Sequence, residues 1–189
     1  MWDLSHTAFG LKEVWMKIFL PTHYYDKKED IPIEEYYRQG YRGILFDIDN
    51  TLVPHDEPVD EKAYIFVERL KKLGFGICLI SNNDEERVRT FAVPLDVKYV
   101  YKAWKPKRSG YLKGMEILGT DLTNTLFVGD QIFTDIWGAN RANMYSILLD
   151  PINPKEEIQI ILKRIPEKFV KRIYRKKNGL QKGEYDKFV

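Results

Sequence analysis

Gly43-Ile44-Leu45-Phe46-Asp47-Ile48-Asp49-Asn50-Thr51 is the stretch that decides the fold of this chain. Its first four residues form a short apolar run rich in strand formers, and the run ends abruptly in two carboxylates. Four more runs of the same kind follow, at Phe75–Ile80, Val97–Tyr101, Thr125–Val128 and Tyr145–Leu149. Each is separated from the next by a segment with helical character. Pro58–Lys72 places Ala63, Phe66, Val67 and Leu70 at helical spacing. Asp84–Phe91 reads as a helix with Asp84 as its N-cap and Arg87 in its later half, and Ser109–Leu118 and Thr134–Ala142 supply the other crossovers. Five strands alternating with helices predict βαβ units. The expected fold is α/β, a three-layer Rossmann-like parallel sheet flanked by helices on both faces.

Composition bounds the rest. The 189 residues suit one domain, and 44% hydrophobic with 14% aromatic side chains excludes general disorder. Thirty basic and 28 acidic residues leave a net charge of +2, which gives no whole-molecule case for nucleic-acid binding. Leu73–Asn83 is the longest run without a charge, and its 11 residues fall short of the roughly 18 a membrane span needs. Cys78 has no partner cysteine and sits in an apolar run, which predicts a small buried hydrophobe. Lys12, Glu13 and Lys17 interrupt the N-terminal apolar residues, so the expectation is a cytoplasmic protein without a secretory signal.

The near-neutral total hides two unlike parts. Residues 155–189 hold 11 basic and 5 acidic groups, a net of +6, while residues 1–154 hold 19 and 23, a net of −4. A single domain is expected over 1–189, with an amphipathic N-terminal helical segment (1–40), a catalytic core (41–154) and a basic C-terminal helical segment (155–189). The first helix carries Leu11, Val14, Trp15, Ile18 and Phe19 on one face and is stopped by Pro21.

In a parallel sheet, ligands bind beyond the carboxyl ends of the strands. Asp47, Asp49 and Thr51 follow the first run, Ser81, Asn82 and Asn83 the second, Lys105-Pro106 the third, and Gly129-Asp130 with Thr134-Asp135 the fourth. Carboxylates gathered on one rim repel one another unless a divalent cation neutralises them, and hard oxygen ligands suit Mg²⁺. One carboxylate can then attack phosphorus, and a second can protonate the leaving alkoxide. Ser81, Asn82 and Lys105 supply the donors and the charge that a transferring phosphoryl group needs. No Cys/His spacing suggests zinc.

The four motifs Phe46-Asp47-Ile48-Asp49-Asn50-Thr51-Leu52, Ile80-Ser81-Asn82, Lys105-Pro106 and Gly129-Asp130…Thr134-Asp135 resemble, in order, those of the haloacid dehalogenase superfamily. The resemblance covers about Gly43 to Leu149. It implies Asp47 as nucleophile and Mg²⁺ ligand, Asp49 as general acid/base with its backbone carbonyl on the metal, and Asp130 as a direct Mg²⁺ ligand. Thr51, Ser81, Asn82 and Lys105 would position the motif and bind the phosphoryl group. Asp135 is left between a metal-site role and a supporting one.

Spacing narrows the substrate. Thr51 to Ser81 spans 30 residues and Ser81 to Lys105 spans 24, room for a helix and a strand each and not for an inserted cap. An uncapped member of subfamily III is expected, with an open site suited to a large substrate. Pro21-Thr22-His23-Tyr24-Tyr25, Asp30-Ile31-Pro32-Ile33 and Gly40-Tyr41-Arg42-Gly43 resemble the YqeG-like subgroup, some of whose bacterial and mitochondrial relatives are phosphatidylglycerophosphate phosphatases. That resemblance implies a phospholipid headgroup as substrate. Lys163–Lys177, with eight cations, and the aromatic N-terminal helix would bring the enzyme to the inner face of an anionic membrane as a peripheral protein. His55, Trp104, Lys107 and Arg108 are further candidates for substrate contact. The alternatives are a phosphatase for a soluble sugar phosphate or nucleotide, and a binding or assembly factor without turnover.

Overall fold

A computed structural model describes residues 18–153. Most of the amphipathic N-terminal helix and the whole basic segment from Lys155 lie outside the described residues. The elements in chain order are β1 (His23–Tyr25), α1 (Ile33–Arg38), β2 (Gly43–Phe46), α2 (Glu61–Leu73), β3 (Gly76–Ile80), α3 (Glu85–Leu95), β4 (Lys98–Val100), α4 (Arg108–Leu118), β5 (Thr125–Gly129), a π-helical turn (Ile132–Ile136) running into α5 (Trp137–Arg141), and β6 (Tyr145–Leu149). All strand pairs are parallel, in the spatial order β1-β6-β5-β2-β3-β4.

The predicted three-layer α/β architecture is present. Alternate residues of each strand feed opposite faces. Ile44, Phe46, Ile77, Leu79, Leu126, Val128 and Ile147 join a core closed by α1, α2 and α3. Leu45, Cys78, Ile80 and Phe127 face the other way, onto Tyr111 and Met115 of α4 and Ala139 of α5. Each such fully buried side chain contributes about 1.5–3 kcal/mol of burial energy. Cys78 is buried among these residues, and burial pushes its thiol up to about 12. It is an inert packing residue.

Local signals set the helix ends. Asp60 caps α2 by accepting from the Ala63 amide at 2.7 Å, and Gly74 closes it at φ 98° in the left-handed region. Asp84 caps α3 through the Arg87 amide at 3.0 Å, so Arg87 lies in the first turn of that helix and not in its later half. The helix also runs on to Leu95, carrying Pro94 in its last turn.

β1 is the element that the alternation of apolar runs misses. His23-Tyr24-Tyr25 is three residues long and has no measurable period. Its place is set by long-range contacts: the Thr22 amide donates to the Ser146 carbonyl at 2.9 Å, and Asn140 donates to the carbonyls of Ile18 (3.0 Å) and Leu20 (2.8 Å). Phe19, expected on a membrane-facing helix, packs on Phe133 and Trp137 at centroid distances of 5.3 and 5.4 Å. The Tyr36 hydroxyl lies 3.3 Å from that of Tyr25 and 3.4 Å from that of Tyr145, tying α1 to the same sheet edge.

Between Thr51 and Ser81 the chain forms only a loop, α2 and β3, and between Ser81 and Lys105 only α3 and β4 with their short connections. No cap domain is inserted at either position. No helix among the described residues is long and apolar enough to cross a membrane.

Candidate active site

β2 lies at the centre of the sheet, between β5 and β3, so the chain leaving it enters the crevice where strand order reverses. The Asp47 amide still donates to the Val128 carbonyl at 3.0 Å. Ile48, fully buried, then anchors a tight reversal in which its carbonyl accepts the Leu52 amide at 2.9 Å. Asn50 takes φ 61° in this turn, a conformation that Asn tolerates better than most side chains. The bend required for two alternate carboxylates to serve one rim is therefore present.

Asp47 is buried, and its Oδ1 accepts from Lys105 Nζ at 2.5 Å. The same ammonium donates to Asp135 Oδ1 at 2.7 Å. Asp130, completely buried, accepts from the Thr51 hydroxyl at 3.4 Å. Carboxylate oxygens of Asp47, Asp130 and Asp135 lie within 4.8 Å of one another. Three buried carboxylates around one ammonium leave two negative charges when all are ionised. Burial pushes the Asp47 carboxyl well above the usual range; Lys105 opposes the shift, while Asp135 and Asp130 add to it. Burial acts to lower Lys105, but Asp135 and Asp47 outweigh it and hold the ammonium charged. The excess negative charge and the all-oxygen donor set fit a divalent cation.

Both oxygens of Asp135 are engaged. One oxygen is on Lys105, and the other accepts the Gln131 amide at 3.0 Å. Gly129 makes room for it, since a Cβ there would lie 2.6 Å from Asp135 Oδ2. Tyr111 holds the same turn from below, donating to the Thr134 carbonyl at 2.9 Å, and a Cβ on Gly138 would strike its hydroxyl.

Asn82 and Ser81 organise the adjoining strand end. The Asn82 side chain accepts the Lys105 amide at 2.6 Å and donates to the Lys105 carbonyl at 3.1 Å, clamping that residue's backbone. Ser81 is buried and its hydroxyl accepts the Asn83 amide at 3.1 Å.

Asp49 occupies a different environment. Its carboxylate accepts from Asn83 Nδ2 at 2.8 Å, from an Arg87 amino group at 2.9 Å and from the Asp56 amide at 3.1 Å, with His55 Nδ1 3.8 Å away. On sequence grounds Asn83 stands at the rim without an assigned role, and Arg87 is not a candidate. Asn83 lies just before the Asp84 cap and Arg87 in the first turn after it, so a basic residue in the first turn of a helix that leaves the rim is the signal that could have found Arg87. A cation in the first turn of a helix opposes the helix dipole, and here its carboxylate partner explains it.

The similarity of the chain to known proteins agrees with this geometry. It is 33% identical over 137 residues to "Probable phosphatase YqeG" of Bacillus subtilis, which spans 72% of this chain and 80% of that protein. The chain belongs to the haloacid dehalogenase-like hydrolases. The family's sequence model, described as haloacid dehalogenase-like hydrolase, matches residues 55–143. A second relative, "Phosphatidylglycerophosphate phosphatase 1, chloroplastic/mitochondrial" of Arabidopsis thaliana, is 28% identical over 152 residues, covering 74% of this chain and 43% of that one. Among solved structures, an uncharacterised Listeria monocytogenes protein shares the fold, with a TM-score of 0.50, 19% identity, and coverage of 62% of this chain and 84% of that one. Enzymatically the chain is a phosphatase-type hydrolase of this family.

Proposed function

We propose that this enzyme is a Mg²⁺-dependent phosphomonoesterase that works through an aspartyl-phosphate and removes the phosphate of phosphatidylglycerophosphate. The observation that carries the catalytic part is the buried Asp47–Lys105–Asp135 arrangement beside Asp130 at the carboxyl ends of β2 and β5. Asp47, Asp130 and the Asp49 backbone carbonyl would hold Mg²⁺, which when bound supplies positive charge to the phosphoryl oxygens and lets Asp47 ionise. An Asp47 oxygen attacks phosphorus, the bond from phosphorus to the ester oxygen breaks, and Asp49 gives its proton to the leaving alkoxide. Asp49 then takes a proton from water, whose oxygen attacks the same phosphorus. The bond to Asp47 breaks and inorganic phosphate leaves. Lys105 offsets charge at Asp47, and Ser81 and the Asn82 amide hold the phosphoryl group.

The lipid substrate is supported by the uncapped site and by the Arabidopsis relative's name. Its test is phosphate release from phosphatidylglycerophosphate in mixed micelles, beside a panel of soluble esters, with Mg²⁺ and with EDTA. Lipid turnover well above every soluble ester is expected. A soluble sugar phosphate or nucleotide turned over faster would replace the lipid reading, and no release from any ester would leave a binding factor.

Arg87 and Asn83 fix the direction of the Asp49 carboxylate. Arg87→Ala should therefore slow hydrolysis of an alkyl phosphate about 10²-fold, the scale of general acid catalysis. It should barely affect kcat/KM for p-nitrophenyl phosphate, which reports the first step and whose leaving group departs without protonation. By contrast, kcat for both esters falls wherever the water step that Asp49 also serves limits turnover. Equal losses in kcat/KM on the two esters would show that Arg87 serves folding or phosphate binding instead.

A further inference from the structure

The β4–α4 connection carries an exposed feature that the catalytic chemistry does not use. Trp104 is 65% exposed, between Ala103 and Lys105, both buried. Its neighbours Lys102, Lys107 and Arg108 are exposed cations, and the Lys107 ammonium lies 5.6 Å from the Trp104 ring centroid. We propose that this loop is a docking surface for an anionic phospholipid leaflet, with Trp104 seated at headgroup level and Lys102, Lys107 and Arg108 against lipid phosphates. The proposal rests on the lipid reading of the substrate above and gives that substrate a route to the site.

Three observations point to this occupant. The loop is held in shape: the Lys102 amide donates to the Asn83 carbonyl and the Ala103 amide to the Ser81 carbonyl, both at 2.9 Å, and Asn82 grips Lys105 on both sides. Trp104 keeps φ 55° in that grip, so a large apolar side chain is presented outward on a fixed backbone. An indole ring flanked by cations is the chemistry suited to a membrane interface, where the ring sits among headgroups and each Lys or Arg adds about fivefold in affinity for an anionic surface.

The rim is also polar in charge. Around the β2–α2 loop and the start of α3 the exposed groups include the carboxylates Asp56, Glu57, Asp84, Glu85 and Glu86, and Arg87 joins the two segments by donating to the Glu57 carbonyl at 3.1 Å. On the α4 side they are cations. An anionic leaflet repels the first half of the rim and attracts the second, so only one approach is favourable. Of the cations on that side, Lys107 is two residues along the chain from Lys105, whose ammonium is on Asp47.

The test is sedimentation of the full chain with phosphatidylglycerol vesicles and with phosphatidylcholine vesicles. The wild type is compared with Trp104→Asn, which retains a residue tolerant of positive φ, and with Lys107→Glu/Arg108→Glu. Wild-type binding to phosphatidylglycerol alone is expected, with a loss of about tenfold or more for the double charge reversal at unchanged thermal melting. Equal sedimentation of wild type and both variants would overturn the proposal, as would equal binding to the two lipids. Wild-type enzyme that binds phosphatidylglycerol through this loop yet releases no phosphate from phosphatidylglycerophosphate would refute the substrate and uphold the surface.

Discussion

Asp47→Asn is expected to lower phosphate release by at least about 10⁴-fold, the scale seen when a nucleophile is removed, while leaving the metal-free protein no less stable. The two halves of this expectation have one cause. Asparagine fills the same space and still accepts a hydrogen bond from Lys105, but it cannot form an acyl phosphate. It also removes one of three buried carboxylates that share a single ammonium. The folded-state pKa of Asp47 is raised, so its contribution to stability is fully present below the unfolded value of about 3.9 and is lost as pH rises through the folded one. Metal-free wild type should therefore lose stability relative to Asp47→Asn as pH is raised from about 4 into the neutral range. Steady-state phosphate release and thermal melting in EDTA across pH check both halves. Comparable turnover by the variant would remove Asp47 from the nucleophile's position.

Lys105→Met should have the largest effect on folding. It leaves Asp47 and Asp135 without the cation that both contact, and breaking a buried pair from one side costs about 3–5 kcal/mol. For a chain of this size that is a drop of roughly 10 °C in melting temperature in metal-free buffer near neutral pH. The carboxylates left behind are destabilising only when ionised, so the deficit should shrink as pH is lowered. A divalent cation should recover part of it by taking over the charge. Lys105 itself, held charged by Asp135 and Asp47 against its burial, contributes stability fully below its unfolded pKa of about 10.4, so its titration does not enter this range. Melting of the variant with EDTA and with Mg²⁺, at acid and neutral pH, checks the sign of each change. A variant as stable as wild type without metal would mean that the carboxylates are already protonated there.

The five core strands were legible because a parallel strand buried on both faces is a continuous apolar run, and no neighbouring segment of this chain imitates one. Gly43–Phe46 and Tyr145–Leu149 stand where their sequences place them, to the residue. Asp47 was legible as a candidate for a similar reason, as charge placed directly after a buried apolar run falls at the rim, and Asp130 follows Thr125–Val128 by one glycine; Asp49 and Lys105 came from the motifs around them. β1 was not legible, since three residues carry no period and its registry with β6 depends on Ser146 and Asn140, more than a hundred residues away. Arg87 was placed too late in its helix: the Asp84 cap makes it the third helical residue, and the helix continues past Phe91 through Pro94 to Leu95.

By itself the sequence determined the layers, the order of the five core strands and their crossover helices, and the set of charged groups that must share one rim. These follow from hydrophobic period and from the cost of burying charge, both local properties of the chain. Only the tertiary structure decided how those groups are paired. It put Asp47 and Asp135 on one ammonium, gave Asp49 to Asn83 and Arg87, and set Trp104 outward beside three cations. Pairing depends on distances between residues tens of positions apart, and no period in a sequence encodes a distance.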